Sequence, residues 1–208
     1  APSTAGLHLF IGEDGKPLPF YDAALGGRSV GTPSLLRMLE KLHVWQGRMP
    51  WSDLFYPAIK LAEQGFEVSP CLHHMLMKER KRFGADVKTK LYFYPDTVTP
   101  LGAGDIKRNP DYAITLRNIA QKGIRDFYEG ELAKNIVKTV QEARLNRGLL
   151  SLEDLQSYQA LERRAVCGGY RGYKVCSMGQ PSSGGLTLLM ALGILENFDL
   201  EKWGKNSP

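Results

Sequence analysis

The chain has 208 residues, of which 43% are hydrophobic and 24% charged, and a formal net charge of +5. This is the composition of an ordinary globular protein with enough length for a real core, and no apolar run approaches the roughly 18 residues that a membrane helix needs. The basic residues are scattered and no binding motif accompanies them, so nucleic acid is not an expected partner.

No basic, apolar leader opens the chain, so any export signal is expected outside it. Residues 1–30 read as a loop segment, with "GEDGKPLP" supplying turn chemistry. From residue 31 to 158 the pattern is a helical lobe. Thr32 is a plausible N-cap with Pro33 at the first helical position, and Leu35, Leu36, Leu39 and Leu42 follow at helical spacing. A second helix starts near Ser52, with Leu54, Phe55, Ala58, Ile59 and Ala62 on one face. Pro57 is expected to kink or shorten it, and Gly65 to end it. Ser69-Pro70 opens a third helix that runs through Met75 and Leu76 to Gly84, with "KERKRF" as its polar tail. Asn109, Pro110 and Gly123 bracket a fourth. Leu132, Ile136, Val137 and Val140 make "GELAKNIVKTVQEARLN" amphipathic. Ser151 and Asp154 form a variant of the capping box.

Residues 159–208 change character. "RRAVCGGYRGYKVCSM" reads as a β-hairpin, followed by a Gly-rich turn and an apolar run, Leu186–Leu195, expected to be a buried helix. The predicted order is therefore many helices, one hairpin and one helix.

Local chemistry assigns no reaction. In "SMGQPSSGG" neither Ser182 nor Ser183 has the G-x-S-x-G frame of a hydrolase elbow. Gly179 and Gly184 have phosphate-loop spacing, but Gly185 stands where that loop needs lysine. The simpler reading is a tight corner from strand to helix, with the serines capping the helix or lining a backbone-rich pocket. His8, His43, His73 and His74 do not converge on a metal, since His73 and His74 point about 100° apart on a helix. Cys71, Cys167 and Cys176 make no zinc pattern. Metal ligands and cofactors are expected to be absent.

The hairpin leaves two registers open. If Arg171-Gly172 is a two-residue loop, Tyr170 pairs with Tyr173, and Cys167 faces Cys176 with Cα atoms roughly 4.5 Å apart, at the short end of the disulfide range. Arginine is poor at the positive φ that a type I′ turn requires. A type I turn with Gly172 as a bulge would shift the register by one and separate the pair.

Taken together, several segments resemble the γ-glutamyltranspeptidase (γ-glutamyltransferase) family: "GGRSVGTP", "GRMPWSDLFYPAIKLAEQGFEVSP", "LGAGDIKRNPDYAITLRNIAQKG", "DFYEGELAKNIV", "GLLSLEDLQSYQALERR", "YRGYKVCSM" and "PSSGGLTLLMALGILENFDL". They occur in the family's order over nearly the whole chain. The chain departs from the family at Ser34 ("GTPS"), at "GQP" before the serines and at "LNRG".

The resemblance implies a mainly α segment with a C-terminal β-hairpin, part of an αββα N-terminal-nucleophile hydrolase fold, from the interior of the large subunit. It implies a precursor that cuts itself to free an N-terminal threonine, whose hydroxyl attacks the γ-glutamyl amide of glutathione or a related compound. The acyl group then passes to water or to an acceptor amino acid or peptide. None of Thr4, Thr32, Thr89, Thr97, Thr99, Thr115, Thr139 or Thr187 has the matching context, so no catalytic residue is carried over and the chain alone is expected to be inactive. Ser182, Ser183, Gly184 and Gly185 are pocket-wall candidates. The expected partners are the rest of the large subunit, the small subunit and a small γ-glutamyl substrate, or a second copy of the chain through Tyr170–Leu200. The expected location is periplasmic or secreted. Alternatives are a cephalosporin acylase-like or capsule depolymerase-like amidase on the same scaffold, or a non-catalytic paralogue acting as a binding module.

Overall fold

The computed structural model describes residues 1–204. Residues 205–208, which the sequence reading counts in the C-terminal segment, lie outside the described residues. The chain packs as two units, one from Ala1 to Ala160 and a second that begins at Leu161.

In the first unit α1 (Phe20–Ala24) and α2 (Leu35–Gln46) precede a 3-10 turn at Trp51–Phe55 and α3 (Tyr56–Gln64). Then come β1 (Phe66–Glu67), α4 (Pro70–Lys78), α5 (Arg80–Phe83), α6 (Val87–Phe93) and β2 (Ile106–Lys107). The unit closes with α7 (Pro110–Lys122), α8 (Arg125–Glu129), α9 (Glu131–Gln141) and α10 (Leu152–Gln156). Its main core joins Ile119, Ile124, Tyr128, Ala133, Val140, Leu150 and Leu155, with Leu36, Trp51, Phe55, Ile136 and Val137 packed against them. A second cluster, Ile59 and Ala62 against Ala113, Leu116 and Ala120, joins α3 to α7. The alanines let the two backbones approach closely.

Several expectations need correction. The N-terminal segment is not all loop. It contains α1, whose last carbonyls are held from afar by the Asn146 side chain, which donates to Asp22 O (2.6 Å) and Leu25 O (2.9 Å). The first long helix starts at Leu35 after Ser34, not at Thr32-Pro33. The cause is Tyr128, whose hydroxyl donates to Pro33 O (3.0 Å) and accepts from Arg37 N–H (3.2 Å). It thus stands between the two groups that a helical bond would have joined. The helix opened by Ser69 stops at Lys78 rather than Gly84. Here too a buried tyrosine intervenes: Tyr94 donates its hydroxyl to Leu76 O (2.5 Å), the carbonyl that residue 80 would use in a continuous helix. Gly84 closes the separate α5. Of the two effects expected of Pro57, shortening is the one seen: residues 51–55 form a 3-10 turn and α3 begins only at Tyr56, with Pro57 in its first turn, where a missing N–H costs nothing. A two-residue antiparallel pair, Phe66↔Lys107 and Glu67↔Ile106, is a sheet the sequence reading lacked. The helix start and stop signals at Asn109, Pro110 and Gly123 all act as expected, with Asn109 Oδ1 accepting from Tyr112 N–H at 3.0 Å.

The Ser151–Asp154 capping box forms and does more than start α10. The Asp154 carboxylate, 8% exposed, accepts from Ser151 N–H (2.9 Å), from Ser151 Oγ (2.8 Å) and from Ser3 N–H, 151 positions away, at 2.7 Å. Burial pushes its pKa up, but the bonds from Ser3 and Ser151 together outweigh burial and lower it from 3.8 to about 2. A carboxylate held below its unfolded value stabilises the fold above that value, and the stabilisation is lost as pH falls from about 4 to about 2. Asp154→Ala is expected to cost about 2 kcal/mol near neutral pH and to lose its penalty in that acid window, as read by urea unfolding against pH.

The second unit contains β3 (Val166–Tyr170), β4 (Tyr173–Ser177), α11 (Gly184–Leu195) and α12 (Leu200–Trp203). The register pairs Tyr170 with Tyr173 and Cys167 with Cys176. The inward face of the hairpin packs on α11, where a Cβ at Gly168 would lie 3.2 Å from Leu189 Cδ2. The expectation of a buried C-terminal helix fails. Of α11, Gly185 alone is buried, while Met190 and Ile194 are each 62% exposed. The helix is apolar on all sides, and a two-stranded hairpin can cover one of them.

Candidate functional site

The corner between hairpin and helix is built by its backbone. The turn closes with Ser182 N–H donating to Gly179 O (3.2 Å), and Gln180-Pro181 is cis. Ser182 Oγ accepts from Gly184 N–H at 3.3 Å, a local turn that aims the chain into α11. Ser183 stands at the N-cap position, but its side chain makes no capping bond. Gly185 sets the closeness of the corner: a Cβ there would lie 2.2 Å from Met178 O and 3.1 Å from Ser177 Cβ. Ser182 is half-buried, whereas Ser183 and Gly184 are exposed. Ser182, Ser183 and Gly184 therefore form a lip over the fourth candidate, the buried Gly185. This is a backbone-rich surface able to offer N–H and hydroxyl groups to a ligand.

Of the two hairpin registers left open by the sequence, the one with Arg171-Gly172 as a two-residue loop forms. Arg171 has φ 49° and Gly172 φ 82°, a type I′ pattern despite the arginine. The position is held by residues just beyond the end of α11. Arg171 N–H donates to the Glu196 carboxylate (2.9 Å), and its guanidinium donates to Phe198 O (3.0 Å). With that loop length fixed, Cys167 and Cys176 face each other and form a disulfide with Cα atoms 4.1 Å apart. Glu196 was missed in the sequence because its partner lies 25 positions away.

Several other chemically able residues have structural partners. His43 Nε2 donates to Met49 O and His73 Nδ1 to Leu101 O, both at 2.8 Å. Among the described residues no group of three or more His, Cys, Asp or Glu side chains is placed to hold a metal. The cleft between α3 and α7 is crossed by an Arg117–Glu63 ion pair at 2.5 Å and is lined by Asp53, Lys60 and Gln121. Thr115 Oγ1 donates to Asp111 O within its own helix.

Residues 1–208 match the family described as gamma-glutamyltranspeptidase, and the chain belongs to that family. Among curated relatives, the glutathione hydrolase proenzyme of Escherichia coli (strain K12) is 36% identical over 212 residues, covering 100% of this chain and 35% of the relative. The gamma-glutamyltranspeptidase structure from Helicobacter pylori superposes with a TM-score of 0.91 at 34% identity, over 99% of this chain and 58% of that one. The cephalosporin acylase of Bacillus halodurans is more distant, with a TM-score of 0.69 and 29% identity over 82% of this chain and 32% of that one. The chain thus spans about a third of the length of the curated relatives it matches.

Proposed function

We propose that this chain is part of an enzyme that cleaves γ-glutamyl amide bonds, as in glutathione, and transfers the γ-glutamyl group to water or to an acceptor amino acid or peptide. The observation that carries this reading is the family match over residues 1–208 joined to a TM-score of 0.91 with a gamma-glutamyltranspeptidase. The more distant acylase makes a γ-glutamyl amide the preferred substrate class over a cephalosporin side chain.

In this reading the chain is scaffold rather than chemistry. The first unit is the peripheral helical lobe. The hairpin and α11 contribute one edge and one outer layer of an αββα sandwich, whose remaining strands and N-terminal threonine come from elsewhere in the enzyme. The exposed apolar sides of α11, including Leu186, Met190 and Ile194, support such a covering neighbour. A second copy of the chain is the competing occupant. The Ser182–Gly185 lip walls the pocket without supplying the nucleophile. The disulfide supports an oxidising compartment, periplasmic or extracellular.

The purified 208-residue chain is expected to leave a chromogenic γ-glutamyl anilide unhydrolysed, since the acyl-enzyme chemistry needs a threonine whose own amine is free to act as base. Release of the aniline at a rate that follows chain concentration would contradict this division of labour.

A further inference from the structure

The Cys167–Cys176 disulfide has no part in the scaffold role just described. It joins directly opposed residues of a hairpin whose main-chain ladder already fixes their register, across a sequence separation of 9. A cross-link that closes so short and so well ordered a loop adds little to stability. Both cysteines are exposed. Alternation along the strands puts Cys167, Gly169, Lys174 and Cys176 on the face turned away from α11. Gly169 has nothing within 4 Å of where a Cβ would stand, so the space beside the sulfurs is open. Of the two cysteines it is Cys167 that borders a shallow depression, together with Gly169, Lys174 and Glu196.

We propose that this bond is a thiol-exchange site for small zwitterionic thiols, the class that includes cysteine and glutathione, and that Cys167 receives the adduct. The depression offers an ammonium at Lys174 for a ligand carboxylate and a carboxylate at Glu196 for a ligand ammonium. The incoming thiolate attacks Cys167 Sγ and forms a new S–S bond. The Cys167–Cys176 bond breaks, and its electron pair leaves on Cys176 as a thiolate, which takes a proton from water. A second thiolate then attacks the small-molecule sulfur of the adduct. It expels Cys167 as a thiolate, which is protonated in turn, and departs as the symmetric small disulfide. In sum the protein bond gains two electrons and two small thiols lose them. The Lys174 charge on the same face favours each thiolate. The reaction needs the hairpin face turned away from α11 to be open, as it is in the 208-residue chain, and its failure would leave the catalytic reading standing.

The test incubates the folded chain carrying Cys71→Ser with glutathione at mildly alkaline pH, quenches with acid, and reads intact mass and peptide maps. Wild-type chain with the exposed Cys71 blocked by N-ethylmaleimide provides a second sample. Urea-unfolded chain provides the exchange control. The expected result is a single glutathione adduct on Cys167, followed by the reduced dithiol. Lys174→Gln is expected to slow the first step about twofold to fivefold for glutathione, the scale of one exposed ion contact, while leaving the rate with neutral 2-mercaptoethanol unchanged. Three results would overturn the proposal: a folded chain that stays unmodified while the unfolded chain exchanges, an adduct carried on Cys176, or equal slowing of both thiols by Lys174→Gln.

Discussion

Tyr128→Ala is expected to destabilise the Ala1–Ala160 unit by about 3–5 kcal/mol. Tyr128 is 0% exposed and lies in the main core beside Ile124, Ala133 and Leu155. Its removal leaves an aromatic-sized cavity. It also removes the hydroxyl that bridges Pro33 O and Arg37 N–H at the start of α2. The Arg37 guanidinium, 4.4 Å from the ring centroid, loses the face it stacks on. Tyr128→Phe separates the contributions, since it keeps the volume and deletes the bridge. It should cost about 1–3 kcal/mol, the penalty for stranding partly buried polar groups. Urea unfolding followed by far-UV circular dichroism measures both. A Phe variant as stable as wild type would show that α2 does not depend on the bridge.

Gly185→Ala is expected to open the hairpin–helix corner, at a cost of about 2–3 kcal/mol or more. A carbonyl oxygen 2.2 Å from the new Cβ is backbone, so no rotamer change relieves the clash. Met178 or the first turn of α11 must move. Gly184→Ala is the matched control. Its Cβ would meet Ser182 Oγ at 3.6 Å, an ordinary contact, so the better helix propensity of alanine should leave stability unchanged or raise it by up to about 1 kcal/mol. Amide hydrogen exchange over β3, β4 and α11 is the appropriate readout. Protection should collapse in the first variant and persist in the second. Equal protection in the two would mean that the close approach at Gly185 is dispensable.

The parts of this structure that local residues control were legible in advance. The Asn109-Pro110 and Ser69-Pro70 starts, the Gly123 stop, the amphipathic face of α9 and the Ser151–Asp154 box all rest on partners three or four positions apart, where sequence pattern and geometry coincide. The errors share a different cause. The true start of α2 and the early end of α4 are set by hydroxyls from Tyr128 and Tyr94, 91 and 18 positions away. The hairpin register, left open between two alternatives, is fixed by Glu196 and Phe198, and the unforeseen α1 is held by Asn146. None of these long-range bonds leaves a periodic mark in the chain. The two-residue strands β1 and β2 are too short to show alternation. In α11 the apolar composition is legible but its exposure is not, because burial depends on a covering surface that the helix's own residues do not encode. The Ser182–Gly185 corner was recognised as a turn, whereas its dependence on one buried glycine became visible only with the Met178 carbonyl in place.

The most direct test of the central claim compares γ-glutamyl anilide hydrolysis by two proteins made in an oxidising host: the 208-residue chain, and the product of the complete open reading frame that encodes it. The proposed function predicts self-cleavage and aniline release by the second protein, accelerated by an acceptor dipeptide, and no release by the first. Hydrolysis by the 208-residue chain itself, or a complete product that neither cleaves itself nor turns over the anilide, would contradict the proposed function.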